Sequence, residues 1–259
     1  MYRILLIAVV VGVVSGLLVG GYHNIFTVPV MERAIALEEE RAAAEPPAVE
    51  AEEGGGEVSL GVQRFGMAFG VAIITAVYGL LFTGGYWLTG RIVPNWHPMA
   101  IALVVGALGY WTLSLFPFIK YPVNPPGIGE ESTLLSRQFF QLLTIFLSAG
   151  ATIGVLLVIK VINSQAAELA QRIPKYAGLA VAYVIFAVLA LLLIPGNPDP
   201  VPVPIDLLEL FRALTMVGHF LQWLLLAVGV ALFLMWRQKS AGVDASPFSE
   251  SRRPGVSAS

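Results

Sequence analysis

The sequence predicts an all-α fold, a polytopic membrane bundle of about six transmembrane helices. Hydrophobic residues make up 57% of the 259 residues and charged residues only 12%, whereas soluble domains carry about 25% charged residues. Long uncharged runs recur along the chain, and each approaches or exceeds the roughly 20 residues that cross a hydrocarbon core of about 30 Å. Backbone groups in lipid must bond within their own segment, so such runs form helices. The helices are predicted at about residues 4–28, 65–89, 98–118, 138–160, 176–195 and 212–236.

The first run begins with Arg3, a positive start that secretory signal peptides also have. Its apolar stretch is longer than the roughly 7–15 residues of a signal peptide, and no clear small-x-small cleavage site follows. We therefore expect a retained first helix in a single transmembrane domain, residues 1–237.

The segment after this helix, residues 31–63, carries nine glutamates. Residues 31–44 are rich in Glu, Arg and Ala and predict a helical extension, which Pro46 and Pro47 should end. The glutamates could concentrate cations near an entrance, and a solvated acidic loop is the simpler explanation.

The distribution of lysine and arginine predicts the topology. With a cytoplasmic N-terminus, nine of these residues fall on inside segments and six on outside segments. Positive residues favour cytoplasmic segments, so both termini are predicted inside and the loop 31–63 outside. The polar tail, residues 238–259, is expected to be disordered in the cytoplasm.

The chain has a weak internal repeat. Each odd-numbered helix is expected to end at a proline, and each even-numbered helix follows an acidic residue and an arginine. The pattern suggests three repeated hairpins related about an axis along the membrane normal. Prolines and arginines also collect at helix ends for local reasons, which explains the pattern equally well. The residues concerned are Pro29, Pro117 and Pro195, with Arg64, Arg137 and Arg212.

The usual catalytic spacings are absent, since the chain has no HExxH, no GxSxG and no Walker A loop. Cysteine is absent as well, which excludes disulfides, thiolate metal sites and a cysteine nucleophile. A net charge of −2 gives no bulk signal for nucleic acid. We therefore predict no enzymatic activity, no catalytic residues and no bound cofactor, and transport would draw on a gradient or a partner.

His219 is the main candidate for chemistry, because polar residues at membrane depth are functional candidates by default. Spacings of three and four residues put it on one helical face with other polar and soft side chains. This stripe consists of Glu209, Arg212, Met216, His219 and Trp223.

His23 lies near the outer end of the first helix, at a predicted depth similar to that of His219. Imidazole is the commonest ligand of divalent transition metals, so His219 and His23 could bind such an ion together with Met216. Glu32 or Glu209 would supply charge. Hydrogen bonding within the bundle, or a position at the membrane interface, is the alternative for both histidines.

Polar stripes on two other helices suit either a permeation route or interhelical hydrogen bonding. Glycines repeated every four residues suit close packing of helices. The stripes are Arg137, Gln141, Thr144 and Ser148 on one helix, and Arg64, Thr75 and Tyr78 on the other. The glycines are Gly12, Gly16 and Gly20, Gly66 with Gly70, and Gly150 with Gly154.

Several segments together form a recognisable pattern. A proline ends the first helix and an acidic amphipathic segment follows it, and proline-rich loops precede the fourth and sixth helices. These segments are residues 22–34, 38–40, 116–129, 136–138 and 198–202. In these features the chain resembles the CbtA family, the probable cobalt transporter subunit, over most of residues 1–236.

The resemblance implies a prokaryotic inner-membrane protein surrounded by lipid and associated with cobalt supply for cobalamin synthesis, with cobalt(II) as the transported ion. It also implies a small single-helix, histidine-bearing partner, the CbtB-like subunit. Many members carry a histidine-rich stretch in the first outer loop, where this chain has glutamates, so His23 and His219 remain the better ligand candidates. A non-transporting scaffold or accessory subunit of a membrane complex is the alternative function.

Overall fold

The computed structural model describes residues 2–44, 60–125, 129–165 and 168–241. Every regular element within these ranges is a helix. Six helical spans are long and apolar enough to cross a membrane, which confirms the predicted all-α transmembrane class. The spans are Tyr2–Arg41, Arg64–Ile92, Pro98–Lys120, Leu134–Gln165, Leu169–Leu193 and Ile205–Ser240.

Some spans are built from more than one helical element. The α-helices are α1 (Tyr2–Tyr22), α2 (Val28–Ala44), α3 (Leu60–Ile92), α4 (Pro98–Tyr110), α5 (Phe116–Lys120), α6 (Leu134–Gln165), α7 (Leu169–Leu193) and α8 (Ile205–Ala241). The first π turn (His23–Thr27) joins α1 to α2, and the second π turn (Trp111–Leu115) joins α4 to α5. Since α8 continues to Ala241, the predicted tail falls mainly on residues 242–259, which lie outside the described residues, as do Pro46 and Pro47.

The centre of the bundle is formed by α1, α3, α4 and α8, while α6 and α7 lie at its edge. In the most apolar stretch of α8, 44% of the residues are buried, against 11% in α6 and 6% in α7. The helix that carries His219 is therefore the most enclosed span of the described chain. The central core includes Ala8, Phe82, Tyr86, Ile101, Trp223, Leu226 and Val230.

The glycines of α1 form its contact face with α3. Methyl groups added at Gly12, Gly16 and Gly20 would lie 2.5, 2.5 and 2.7 Å from the nearest atoms, all of them backbone atoms of α3. This confirms the predicted close packing for the first set of glycines. The prediction is wrong for Gly66 with Gly70 and for Gly150 with Gly154, which have no such atom within 4 Å, because spacing alone does not tell which face meets a neighbouring helix.

Each π turn lies just before a proline inside a helical span. The amide of Val28 bonds to the carbonyl of His23, and the amide of Phe116 bonds to the carbonyl of Trp111, both five residues back. A proline has no N–H and its ring clashes with the carbonyl four residues earlier in an α-helix. The wider turn relieves that clash, so the helix continues through the proline.

The expectation that Pro29 and Pro117 end their helices is therefore wrong, since α2 and α5 continue beyond them. Pro195 behaves as expected, because α7 ends at Leu193. The first two odd-numbered spans thus share a π turn that the described part of the fifth lacks. Superposition of all three hairpins stays a prediction.

The connections before α6 and α8 are joined by a buried carboxylate. Asp199 accepts hydrogen bonds from Thr133 Oγ1 at 2.8 Å and from the Glu130 amide at 3.2 Å. Arg137 Nε lies 3.0 Å from Asp199 Oδ2, an ion pair rather than a well-aligned hydrogen bond. Gly129 has φ +119°, and the Arg137 guanidinium occupies the space that a side chain there would need. The two connections are thereby held together.

The segment after α5 is also fastened to the end of α7. Lys120 Nζ donates to the Leu191 carbonyl at 2.8 Å, and the Tyr121 hydroxyl donates to the Pro195 carbonyl. Burial raises the pKa of Tyr121 above its ordinary value, which keeps this phenol protonated as a donor. The edge helix α7 is thus anchored at this end.

Candidate metal site

His219 lies about four turns into α8 and is held by a chain of hydrogen bonds from two other side chains. Its Nδ1 atom lies 3.2 Å from Ser114 Oγ, in the second π turn. The same oxygen accepts a hydrogen bond from the Trp223 indole at 3.1 Å. Trp223 in turn stacks on Tyr78 of α3, with ring centroids 4.9 Å apart. Three spans therefore fix the position of one imidazole.

His23 lies in the first π turn, and its ring rests on the backbone of α8. A methyl group added at Gly218 would lie 2.4 Å from both Cε1 and Nε2 of His23, so only glycine leaves room for the ring. The Nδ1 atom of His23 lies 2.9 Å from Thr27 Oγ1. Beside it, the Tyr22 hydroxyl donates to the Leu214 carbonyl at 3.0 Å.

The His23 ring therefore rests on the turn of α8 that carries His219, because Gly218 directly precedes His219 in the chain. In each ring Nδ1 bonds to a hydroxyl group, and Nε2 has no hydrogen bond within the described residues. A hydroxyl partner on one ring nitrogen fixes the orientation of the ring, as groups around metal-binding histidines do. Nε2 is therefore the nitrogen of each ring that has no partner within the described residues.

The other predicted ligands differ in how near they come to this pair. Met216 is half-buried, one turn before His219 on the same helix. Glu32 bonds Arg64, with 2.7 Å between Oε1 and the guanidinium, and Glu209 is exposed. Among the described residues, no group of three or more His, Asp or Glu side chains is arranged to hold a metal ion. The metal site with all five residues stays a prediction.

Arg212 belongs to the predicted stripe on α8 but points to a loop. Its guanidinium donates to the Val123 carbonyl at 3.2 Å and to Asn124 Oδ1 at 2.7 Å. The third histidine, His97, is a helix cap, with Nδ1 accepting from the Met99 amide at 3.3 Å. Neither residue joins the His23–His219 pair.

The sequence analysis missed Ser114, the residue that links the imidazole to the indole. Ser114 is buried, and it lies three residues before Pro117 in an otherwise apolar run. A hydroxyl at that depth beside a helix-distorting proline was the available signal. Its partner on another helix could not be read from spacing.

Of the predicted polar stripes on α3 and α6, Thr75 bonds a neighbouring helix, whereas Thr144 Oγ1 donates to the Phe140 carbonyl of its own helix. Gln222 of α8 donates to Thr75 Oγ1 at 2.6 Å, one residue before Trp223. The hydroxyls of Thr112 and Thr152 lie 3.0 Å apart. Thr144 and Ser148 are fully buried in α6, whereas Gln141 is exposed.

Comparison with known proteins identifies a family whose sequence profile covers most of the chain. A search of curated proteins and a search of solved structures each returned no match. The sequence profile of one family, described as "Probable cobalt transporter subunit (CbtA)", matches residues 1–235. The matched segment contains both histidines, both π turns and nearly all of the six spans. This chain therefore belongs to the CbtA family, the probable cobalt transporter subunits.

Proposed function

We propose that this chain moves cobalt(II), or a related divalent transition-metal ion, across the membrane, with Nε2 of His23 and of His219 as ligands. The observation that supports the proposal is the contact of the His23 ring with Gly218, the residue directly before His219. Nitrogen ligands suit divalent first-row metals, and cobalt(II) accepts mixed nitrogen and oxygen ligands. The family match gives the same class of ion.

Two imidazoles alone make an incomplete coordination sphere, which suits a site that must release its ion. Water would complete the sphere, and Met216 is the nearest further candidate along α8. Glu32 and Glu209 remain proposed sources of charge near the site, and binding of the ion by Glu32 would first break its bond to Arg64.

The absence of an ATP-binding motif bears on what drives transport. Without a Walker A loop in the sequence, we expect transport to depend on an ion gradient or on a partner subunit. The proposed partner is a small single-helix, histidine-bearing CbtB-like subunit in the prokaryotic inner membrane. The exposed apolar faces of α6 and α7 are available to lipid or to such a helix.

Uptake of radioactive cobalt by cells that express this chain, with and without its genomic neighbours, tests the proposal. His23→Ala and His219→Ala should each abolish most of the uptake, because each removes one of two ligands. His97→Ala is the matched control, since His97 caps α4 away from the pair. Membrane levels of all three variants should stay close to normal. Unchanged uptake in His219→Ala would remove this residue from the mechanism.

A scaffold or accessory subunit is the second candidate function. The close, glycine-lined contact of α1 with α3 favours it, because such contacts build a rigid, dry bundle. The purified chain in proteoliposomes separates the two functions. Cobalt entry into vesicles that hold this chain, alone or with its partner, requires a conducting subunit. Entry that occurs equally with the partner alone identifies a scaffold.

A further inference from the structure

Ser114 lies between two groups of different hydrogen-bonding character. Its hydroxyl oxygen is 3.1 Å from Trp223 Nε1 and 3.2 Å from His219 Nδ1. The side chain is buried, so water does not provide a free alternative. Within the described part of the chain, these are the two hydrogen-bond partners of its hydroxyl.

The direction of both hydrogen bonds follows from counting protons. An indole N–H can only donate, so Ser114 Oγ accepts from Trp223. The single hydroxyl proton of Ser114 then needs an acceptor, and His219 Nδ1 is the one within reach. If Nδ1 carried the proton instead, two donors would face the serine oxygen, and the proton of a side chain that is only 5% exposed would have no partner. With the proton on Nε2, the donor without a partner is that of the half-buried His219 ring, which costs less.

We infer that the hydrogen bond from Ser114 to Nδ1 keeps neutral His219 in the tautomer that carries its proton on Nε2. Ser114 is then a positioning residue, and the proton on Nε2 blocks the metal-binding nitrogen in the resting state. Its role as a gate for the ion rests on the proposed function. An Nε2–H group has no lone pair for a cation. Binding then requires the ring proton to move from Nε2 to Nδ1 and the Ser114 hydroxyl to turn away.

The proton count balances in this exchange. One proton leaves Nε2 and one arrives at Nδ1, which then donates to Ser114 Oγ, and the ion bonds to the freed Nε2 lone pair. The serine proton then loses its acceptor on His219, and the bond between the ion and the nitrogen must offset that loss. The arrangement reverses when the ion leaves, so the resting hydrogen bonds favour release.

The two histidines are therefore not equivalent. At His23, Nδ1 faces Thr27 Oγ1 at 2.9 Å, and no indole fixes the direction of that bond. Thr27 can accept from Nδ1–H and leave Nε2 of His23 open to an ion. We expect His23 to bind the ion first, with His219 following once its proton has moved.

Nitrogen-15 spectra of histidine-labelled protein in lipid bilayers test the inference without any transport measurement. The wild-type chain should show His219 as the Nε2–H tautomer, identified by its loss in His219→Ala. Trp223→Phe removes one of the two donors that would face the serine oxygen in the Nδ1–H tautomer, so the preference for Nε2–H should weaken. Trp111→Phe is the matched control, because the Trp111 indole donates to Tyr183 instead.

The serine itself offers a second comparison. Ser114→Thr keeps the hydroxyl and should keep the Nε2–H tautomer, whereas Ser114→Ala should lose that preference. An Nδ1–H tautomer at His219 in the wild-type protein would overturn the inference.

Addition of Zn²⁺, a diamagnetic probe, separates this inference from the proposed function. The expected result is metal-bound Nε2 with Nδ1–H at His219. If Zn²⁺ binds at His23 while His219 keeps its resting tautomer, the gating role is overturned. If neither histidine binds Zn²⁺, the metal function fails while the resting tautomer still supports the assignment of Ser114.

Discussion

At the scale of single residues, Gly218 leaves the room that the His23 ring needs on α8. Gly218→Ala should push the His23 ring away from α8, because the added methyl group would lie 2.4 Å from two ring atoms. We expect about 10–100-fold weaker metal binding, the range for changes in groups that orient metal ligands. Cobalt binding to the purified protein measures this effect.

Gly154→Ala provides the control for that substitution, since no atom lies within 4 Å of its added methyl group. Its binding should equal that of the wild type. An equal loss of metal binding in both variants would mean that the flexibility of glycine is responsible, rather than the contact of the His23 ring with Gly218.

Part of this candidate metal site could be predicted from the sequence. The face shared by Met216, His219 and Trp223 follows from helical spacing, and polarity at membrane depth drew attention to both histidines. The partners Ser114 and Gly218 could not be predicted, because contacts between helices depend on how each helix is rotated in the bundle. The ion pair of Glu32 with Arg64 could not be predicted for the same reason, because Arg64 lies on a neighbouring helix.

At the scale of elements, the closest contact of the bundle joins α1 to α3. Gly16→Ala should separate these helices, because its methyl group would lie 2.5 Å from the Ala72 backbone. Overpacking of this kind costs about 1–3 kcal/mol. Thermal unfolding in detergent should therefore shift to lower temperature.

Gly66→Ala on α3 tests whether that loss comes from the contact itself. A methyl group at Gly66 meets no atom within 4 Å, so unfolding should stay at the wild-type temperature. A comparable destabilisation in both variants would assign the effect to helix flexibility and not to packing.

At the scale of the whole molecule, the orientation in the membrane remains a prediction from charge. The chain contains no cysteine, so one introduced cysteine is its only thiol. Arg91→Cys and Arg172→Cys should be protected from an impermeant thiol reagent in intact cells, because lysine and arginine favour the cytoplasmic side. Glu130→Cys, in the connection before α6, should be labelled. The opposite pattern would reverse the topology.

The number of spans and the class of fold could be predicted because lipid permits few structures for long apolar runs. The arrangement of the spans could not. Both α6 and α8 contain an apolar stretch long enough to cross a membrane, yet α8 is enclosed and α6 lies at the edge. Hydropathy measures the cost of contact with water and does not distinguish lipid from protein as the apolar neighbour.

The first π turn also changes the phase of the helix that contains it. A π turn accommodates one extra residue, and one residue corresponds to a rotation of about 100° in a helix of 3.6 residues per turn. Before the turn, the glycines of α1 face α3; after it, Val30 and Ala34 of α2 pack against Leu207 and Phe211 of α8. One continuous helical span thereby packs its glycine face against α3 before the turn and a different face against α8 after it. His23 lies where the contact face changes.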